Sequence, residues 1–231
     1  MVIDTVGEDE KAGAAVYNKA MLAVYDVYVL QLSNRFVWRC SRHRLLEHYD
    51  ANLSGNHLDI GPGTGWYLRN ATFPTDRPNV TLMDLNPTPM QVTTGRLAER
   101  GIQARSHVGS ILQPIAPGLG PFESVAANFV FHCVPGTWQE KGRAFGHIAN
   151  ALSDRGVFFG STILSRGVKQ NLAARTLTAL YNGRVKAFHN LEDDVSGLTS
   201  ALEAAFASVT VDVIGNVAVF AARKPRAPAT S

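Results

Sequence analysis

Before residue 55, apolar positions recur at helical spacing. Tyr17, Met21, Tyr25, Tyr28 and Leu32 lie three or four apart, so they share one face of one or two helices, and Leu45, Leu46 and Tyr49 predict a further short one. From residue 57 the pattern changes to short apolar strands separated by amphipathic stretches. The strands read as His57 to Ile60, Asn79 to Asp84, Ile102 to Val108, Phe122 to Phe131 and Val157 to Thr162. Thr88 before Pro89 predicts a helix start after the second strand. Trp138, Phe145, Ile148 and Leu152 form an inward stripe over Thr137 to Leu152, before Gly156 opens the next strand. A last helix is expected over Leu191 to Phe206, capped by Asn190.

Alternation of strand and helix at this rhythm implies a mostly parallel sheet with right-handed crossovers and helices on both faces. The C-terminal end departs from it. SVTVDVI and NVAVFAARK are joined only by Gly215 and its neighbours, a link that permits a hairpin but not a parallel crossover, so one of these strands runs against the sheet. The expected fold is α/β: a doubly wound, mostly parallel seven-stranded sheet, with an antiparallel C-terminal strand and an N-terminal helical lid. Residues 1–54 read as the helical cap, 55–223 as the core and 224–231 as a frayed tail, one structural domain overall.

Composition narrows the class. A chain of 231 residues with 45% hydrophobic, 18% charged and 9% aromatic residues can bury a core and excludes global disorder. No apolar run reaches the roughly 18 residues of a bilayer span, and the start is acidic (Asp4, Glu8, Asp9, Glu10), so a soluble protein without a secretion signal or membrane partner is expected. Cys40 and Cys133 are far apart and belong to no metal-ligand cluster, which points to a reducing, cytoplasmic setting. A net charge of +3 is modest. Arg35, Arg39, Arg42 and Arg44 crowd one early helical stretch, either as a site for phosphate or an acidic substrate or as a solvated face.

The sharpest chemical signal is HLDIGPGTGWYL over residues 57–68. A strand ending in Asp59 and Ile60 runs into Gly61, Pro62, Gly63, Thr64 and Gly65 and then a helix start. Glycines there let the backbone turn and approach a ligand, while the helix N-terminus offers unpaired N–H groups. The second strand ends in Asp84, 19 residues after Gly65, where an acidic side chain of a doubly wound fold reaches ribose hydroxyls. Glycines at 61, 63 and 65 make GxGxG. The dinucleotide fingerprint requires a glycine at position 66, which is Trp66.

Over residues from about 15 to 223 the chain resembles the class I S-adenosylmethionine-dependent methyltransferases. LDIGPGTG looks like their first motif, and the terminal hairpin like their antiparallel last strand. The resemblance implies S-adenosyl-L-methionine as cofactor, with Asp59 at the motif, Gly61, Gly63 and Gly65 passing its methionine part, and Asp84 holding its ribose. Leu85 would flank the adenine, with Ile111 and Ser110, where the family usually carries Asp, after the third strand. Asn128, closing the fourth strand at the end that faces the transferred methyl, and Tyr25 are further candidate cofactor contacts. Tyr17, Tyr25, Tyr28 and Trp38 read either as a lid over the ligands or as plain packing. The runs YDVYVLQLSNRFVWRC and NFVFHCVPGTWQEKG resemble small stand-alone enzymes of microbial secondary metabolism.

At the fourth strand end Asn128 is followed by Phe129, Val130 and Phe131, unlike the Pro-Pro-aromatic signature of nucleobase and glutamine N-methyltransferases. Ser161, Thr162 and Ile163 supply no carboxylates to hold magnesium, so no metal is expected. His132 is the titratable side chain suited to accept a proton there, as general base or as a structural histidine. His57 and His147 read as packing residues, and Cys133 as a buried thiol pointing away from the site. The reading is metal-independent methyl transfer to a small, aromatic or polyketide-like metabolite. The alternatives are a cofactor-binding protein that catalyses another reaction, such as a cyclisation, and, with no room for an appended RNA-binding module, an RNA methyltransferase. A nucleic-acid partner is not expected.

Overall fold

The computed structural model describes residues 34 and 36–226. The expected lid stripe from Tyr17 to Leu32, Tyr25 included, lies outside the described residues, as do Arg35 and the last five residues.

In chain order the elements are α1 (Arg42–Asn52), β1 (Asn56–Ile60), α2 (Trp66–Asn70), β2 (Asn79–Asp84), α3 (Pro87–Ala98), β3 (Ala104–Val108) and β4 (Phe122–Asn128). There follow α4 (Trp138–Lys141), α5 (Arg143–Ala151), β5 (Leu152–Ile163), α6 (Leu172–Leu180), α7 (Val195–Ala205), β6 (Phe206–Ile214) and β7 (Val217–Pro225). The strands form one seven-stranded sheet in the order β3-β2-β1-β4-β5-β7-β6. Strands β1 to β5 pair in parallel, and β7 runs antiparallel to both β5 and β6. The doubly wound sheet with its reversed C-terminal strand is therefore as the alternation and the short final link imply. Strand order reverses between β1 and β4, which opens a crevice beyond their carboxyl ends.

The pleat sorts side chains onto two faces. Along β5, Val157 and Phe159 join Leu45, Tyr49, Tyr67, Met90 and Leu97 on one face. Phe158 points to the other, among Phe145, Leu198, Leu202, Phe206 and Phe220. Each face is covered by helices, so the central strands are buried on both sides, as parallel sheets require.

Several element ends differ from the sequence expectation, two of them because another side chain reaches the free backbone N–H first. Pro87, not Pro89, takes the first helical position of α3, and Asn86 caps it by accepting the Thr88 N–H at 2.9 Å. Helix α7 starts at Val195, where Asp194 accepts the Gly197 N–H at 2.7 Å. Asn190, expected as that cap, is buried and donates to the Ile163 carbonyl at 3.0 Å. The expected helix from Thr137 is split at Gly142 into α4 and α5, and Leu152 already pairs with Phe122 in β5. Pro225 pairs with Phe206, so β7 continues into the expected tail. Arg42 and Arg44 lie on α1, while Arg39 sits before it with φ 56° and donates to the Lys169 carbonyl. The described arginines do not share one helix.

Lys141 lies on the buried side of α4. Its Nζ is 2.8 Å from both carboxylate oxygens of Asp193 and donates to the His189 carbonyl at 2.8 Å, with both side chains essentially fully buried. Burial pushes the Lys141 amine down and the Asp193 carboxyl up, each countered by the partner's charge. Two charges taken out of water are tolerable only together. Lys141→Ala or Asp193→Ala alone should cost about 3–5 kcal/mol of unfolding free energy, and the apolar double variant Lys141→Met with Asp193→Leu should recover most of it. Urea denaturation of the three variants checks this.

Candidate active site

The chain leaves β1 through three left-handed turns. Gly61, Gly63 and Gly65 have φ of 63°, 57° and 71°, a region that side chains other than glycine rarely adopt. Space adds a second demand at two of them: a Cβ on Gly61 would come within 2.7 Å of Val130, and one on Gly65 within 2.7 Å of Thr93. At Gly63 a Cβ would meet nothing within 4 Å. Gly63 is on the wall of an open cleft of about 1080 Å³ beyond the carboxyl ends of β1, β2 and β4. The cleft is lined by Asp59 to Thr64, by Trp66 and Tyr67, by Met83 to Leu85, by Ile111, and by Asn128 to Val130 with Cys133 and Val134.

Of the residues singled out in the sequence, Asp59, Gly61, Gly63, Asp84, Leu85, Ile111 and Asn128 thus come together on one wall. Gly65 does not line the cleft: it packs on Thr93 and caps α2. Ser110 is buried behind Ile111, accepting the Leu112 N–H at 3.0 Å, and is not on the wall.

Asp84 ends β2 with Oδ1 accepting the Asn86 N–H at 2.8 Å. Burial pushes its carboxyl up to about 6, against the pull of the Asn86 and Leu85 N–H groups and with a further push from the Asp59 charge. The two carboxylates are the only charged side chains on the described wall. Both sit at its β1–β2 side.

The β4 end departs from an extended strand. Phe129 has φ 56°, strained for an aromatic residue, and a 3₁₀ turn follows over Phe131–Cys133. Expected strand alternation therefore fails at this point. Cys133, expected to point away, lines the cleft, whereas His132 is 3% exposed and lies outside the lining residues. The His132 ring packs edge-on against Phe188 at 4.4 Å, and its Nδ1 has no hydrogen-bond partner among the described residues. Burial, with the nearby Lys141 charge, pushes it down to about 3. Asn128 shows the same incompleteness: Oδ1 accepts from Ser161 Oγ at 3.0 Å, and Nδ2 is buried without a partner among the described residues.

A buried polar column under Asp59 is not visible in the apolar pattern. Tyr49 Oη is 2.6 Å from Asp59 Oδ2 and 2.9 Å from His57 Nε2, and His57 Nδ1 is 2.8 Å from Ser124 Oγ. His57, expected as packing, is packed and hydrogen-bonded at once. The hint in the sequence is a tyrosine within an apolar stripe, whose hydroxyl needs a partner when buried.

The turn, the half-buried carboxylate at the second strand end and the crevice at the switch in strand order fit an adenosine-bearing cofactor with a charged amino-acid portion. Comparison with known proteins agrees. A family model described as a methyltransferase domain matches residues 33–197. The chain is 39% identical over 218 residues to a physcion biosynthesis cluster O-methyltransferase of Aspergillus chevalieri, covering 93% of this chain and 96% of that one. It is 36% identical over 210 residues to the demethylluteothin O-methyltransferase of Streptomyces thioluteus, covering 91% and 90%. Among solved structures, the complex of DhpI with SAH superposes with a TM-score of 0.66 at 18% identity, covering 96% of this chain and all of that one, a likeness of fold. The chain belongs to the methyltransferase-domain family, as an S-adenosyl-L-methionine-dependent methyltransferase.

Proposed function

We propose that the protein methylates a hydroxyl of a small, uncharged, aromatic or polyketide-like metabolite, without a metal ion. The distribution of charge around the cleft carries this reading. Asp59 and Asp84 stand at the glycine-turn side, while the β4 side offers Phe129, Val130, Cys133 and Val134 beside the neutral amide of Asn128, an uncharged wall suited to a neutral acceptor. Relatives named as O-methyltransferases support the choice of atom.

The glycine turn and Asp84 are the residues that would hold the cofactor, which when bound supplies an activated methyl group on a sulfonium. The protein's share is then to align the acceptor, exclude water and accept a hydrogen bond from the hydroxyl. His132 is proposed for that last task from behind the lining residues, on the ground that its buried Nδ1 has no partner among the described residues. A nitrogen pushed down to about 3 is a weak proton sink, so its contribution is orientation more than full general-base catalysis.

Calorimetry with S-adenosylhomocysteine should show binding, and Asp84→Ala should lose about 1.5–3 kcal/mol of it, the scale of a hydrogen bond to a charged group. Affinity should be level above the carboxyl's value of about 6 and should fall below it by at most the loss seen in Asp84→Ala, because a proton must leave Asp84 before the ribose hydroxyls can donate to it. Asp84→Asn should abolish that acid limb. His132→Ala should lower turnover by about tenfold, short of the roughly hundredfold of a full general base, with cofactor affinity unchanged. A joint fall of affinity and melting temperature would instead mark His132 as core alone. With a hydroxylated aromatic acceptor, S-adenosylhomocysteine formation should survive excess chelator.

A further inference from the structure

Asp59 is acceptor-only when ionised, so the 2.6 Å contact fixes Tyr49 as the donor. The Tyr49 oxygen is then left to accept from His57 Nε2 at 2.9 Å, which makes Nδ1 the acceptor of the Ser124 hydroxyl at 2.8 Å. Ser124 Oγ in turn accepts the Ser54 N–H at 3.0 Å. From the Ser54 N–H through Ser124, His57 and Tyr49, the donors point toward Asp59. The column is dry: Tyr49, His57 and Ser124 are fully buried. Tyr49 is locked from the sides by Tyr67, stacked at 5.6 Å, and by Phe159, edge-on at 5.2 Å.

Such a column is expensive to bury, and its acceptor end is the Asp59 carboxylate on the cleft wall. We propose that Tyr49, backed by His57 and Ser124, is a positioning residue for the cofactor: its hydroxyl occupies Oδ2 and holds the carboxylate in the rotamer that presents the rest of the group to the cleft. This assignment rests on the cofactor reading of the cleft. The groups facing the pair are Asp84 from β2, Asp50 from α1, the Tyr67 phenol from α2 and His57 from β1. Burial and the Asp59 charge hold the Tyr49 phenol well above its usual range, which keeps it a donor at every working pH.

The test separates orientation from packing. Tyr49→Phe removes the oxygen and leaves the ring contacts; it should weaken S-adenosylhomocysteine binding by about tenfold and raise the cofactor KM alike, with kcat within about twofold. His57→Phe, which keeps the ring contact with Phe159 but removes the donor to Tyr49, should weaken binding by about threefold, and His57→Gln, whose amide can donate again, should restore it. Phe158→Leu, a packing change on the opposite face of the sheet, should lower the melting temperature with cofactor affinity intact. Wild-type protein that did not bind S-adenosylhomocysteine would overturn the cofactor reading itself. Wild-type binding with an unchanged Kd in Tyr49→Phe, or an equal loss in Phe158→Leu, would overturn only the assignment of Tyr49. Should Tyr49→Phe fail to fold, an unchanged Kd in His57→Phe is the outcome that rejects it.

Discussion

A backbone that passes through the left-handed region at Gly61, Gly63 and Gly65 is the constraint on which the cleft depends. The turn must reverse the chain directly after β1 and start α2 over the edge of the sheet. Val130 and Thr93 close in at 2.7 Å from where side chains at Gly61 and Gly65 would begin. The close approach of Val130 ties the turn to the β4 end, and that of Thr93 ties it to α3. The glycine-turn wall of the cleft and its β4 wall are thus spaced by the same contacts. Because strand order reverses between β1 and β4, no neighbouring strand or crossover helix among the described residues fills the space beyond the turn.

Around this turn the fold buries polar groups that a purely apolar core would avoid. On one face, Asp59, Tyr49, His57 and Ser124 satisfy one another in series. On the other, Lys141 and Asp193 neutralise each other, and Lys141 also holds the His189 carbonyl. The His189 N–H donates to the His132 carbonyl at 2.7 Å, so this ion pair anchors the segment packed over the β4 end. Each network costs desolvation and returns a defined geometry next to the cleft.

The β4 end shows how a local backbone choice alters chemistry. Had the strand continued through Phe131, alternation would have aimed His132 and Cys133 to opposite sides with His132 at the site. Left-handed Phe129 and the 3₁₀ turn rotate the sequence, so Cys133 takes the wall and His132 enters the packing beside Phe188. A histidine there stays uncharged, which suits a hydrogen-bond acceptor.

Several features of this protein follow from the sequence by itself, because their signals are local. The alternation of short apolar strands with amphipathic stretches, the final link at Gly215 and the GxGxG turn followed by Asp84 determine the doubly wound sheet, its antiparallel strand and the glycine-turn wall of the cleft. Lys141 was also legible: it falls three residues after Trp138 and four before Phe145, on the buried stripe, where a charge requires a partner. Tertiary structure alone decided which partner that is, since Asp193 arrives from a distant loop. It also decided that Asn86 and Asp194, rather than Thr88 and Asn190, win the helix caps, and that Tyr49 closes on Asp59. Those outcomes depend on which polar group is nearest once the chain has packed, and distance in space is the quantity that spacing along a chain does not encode.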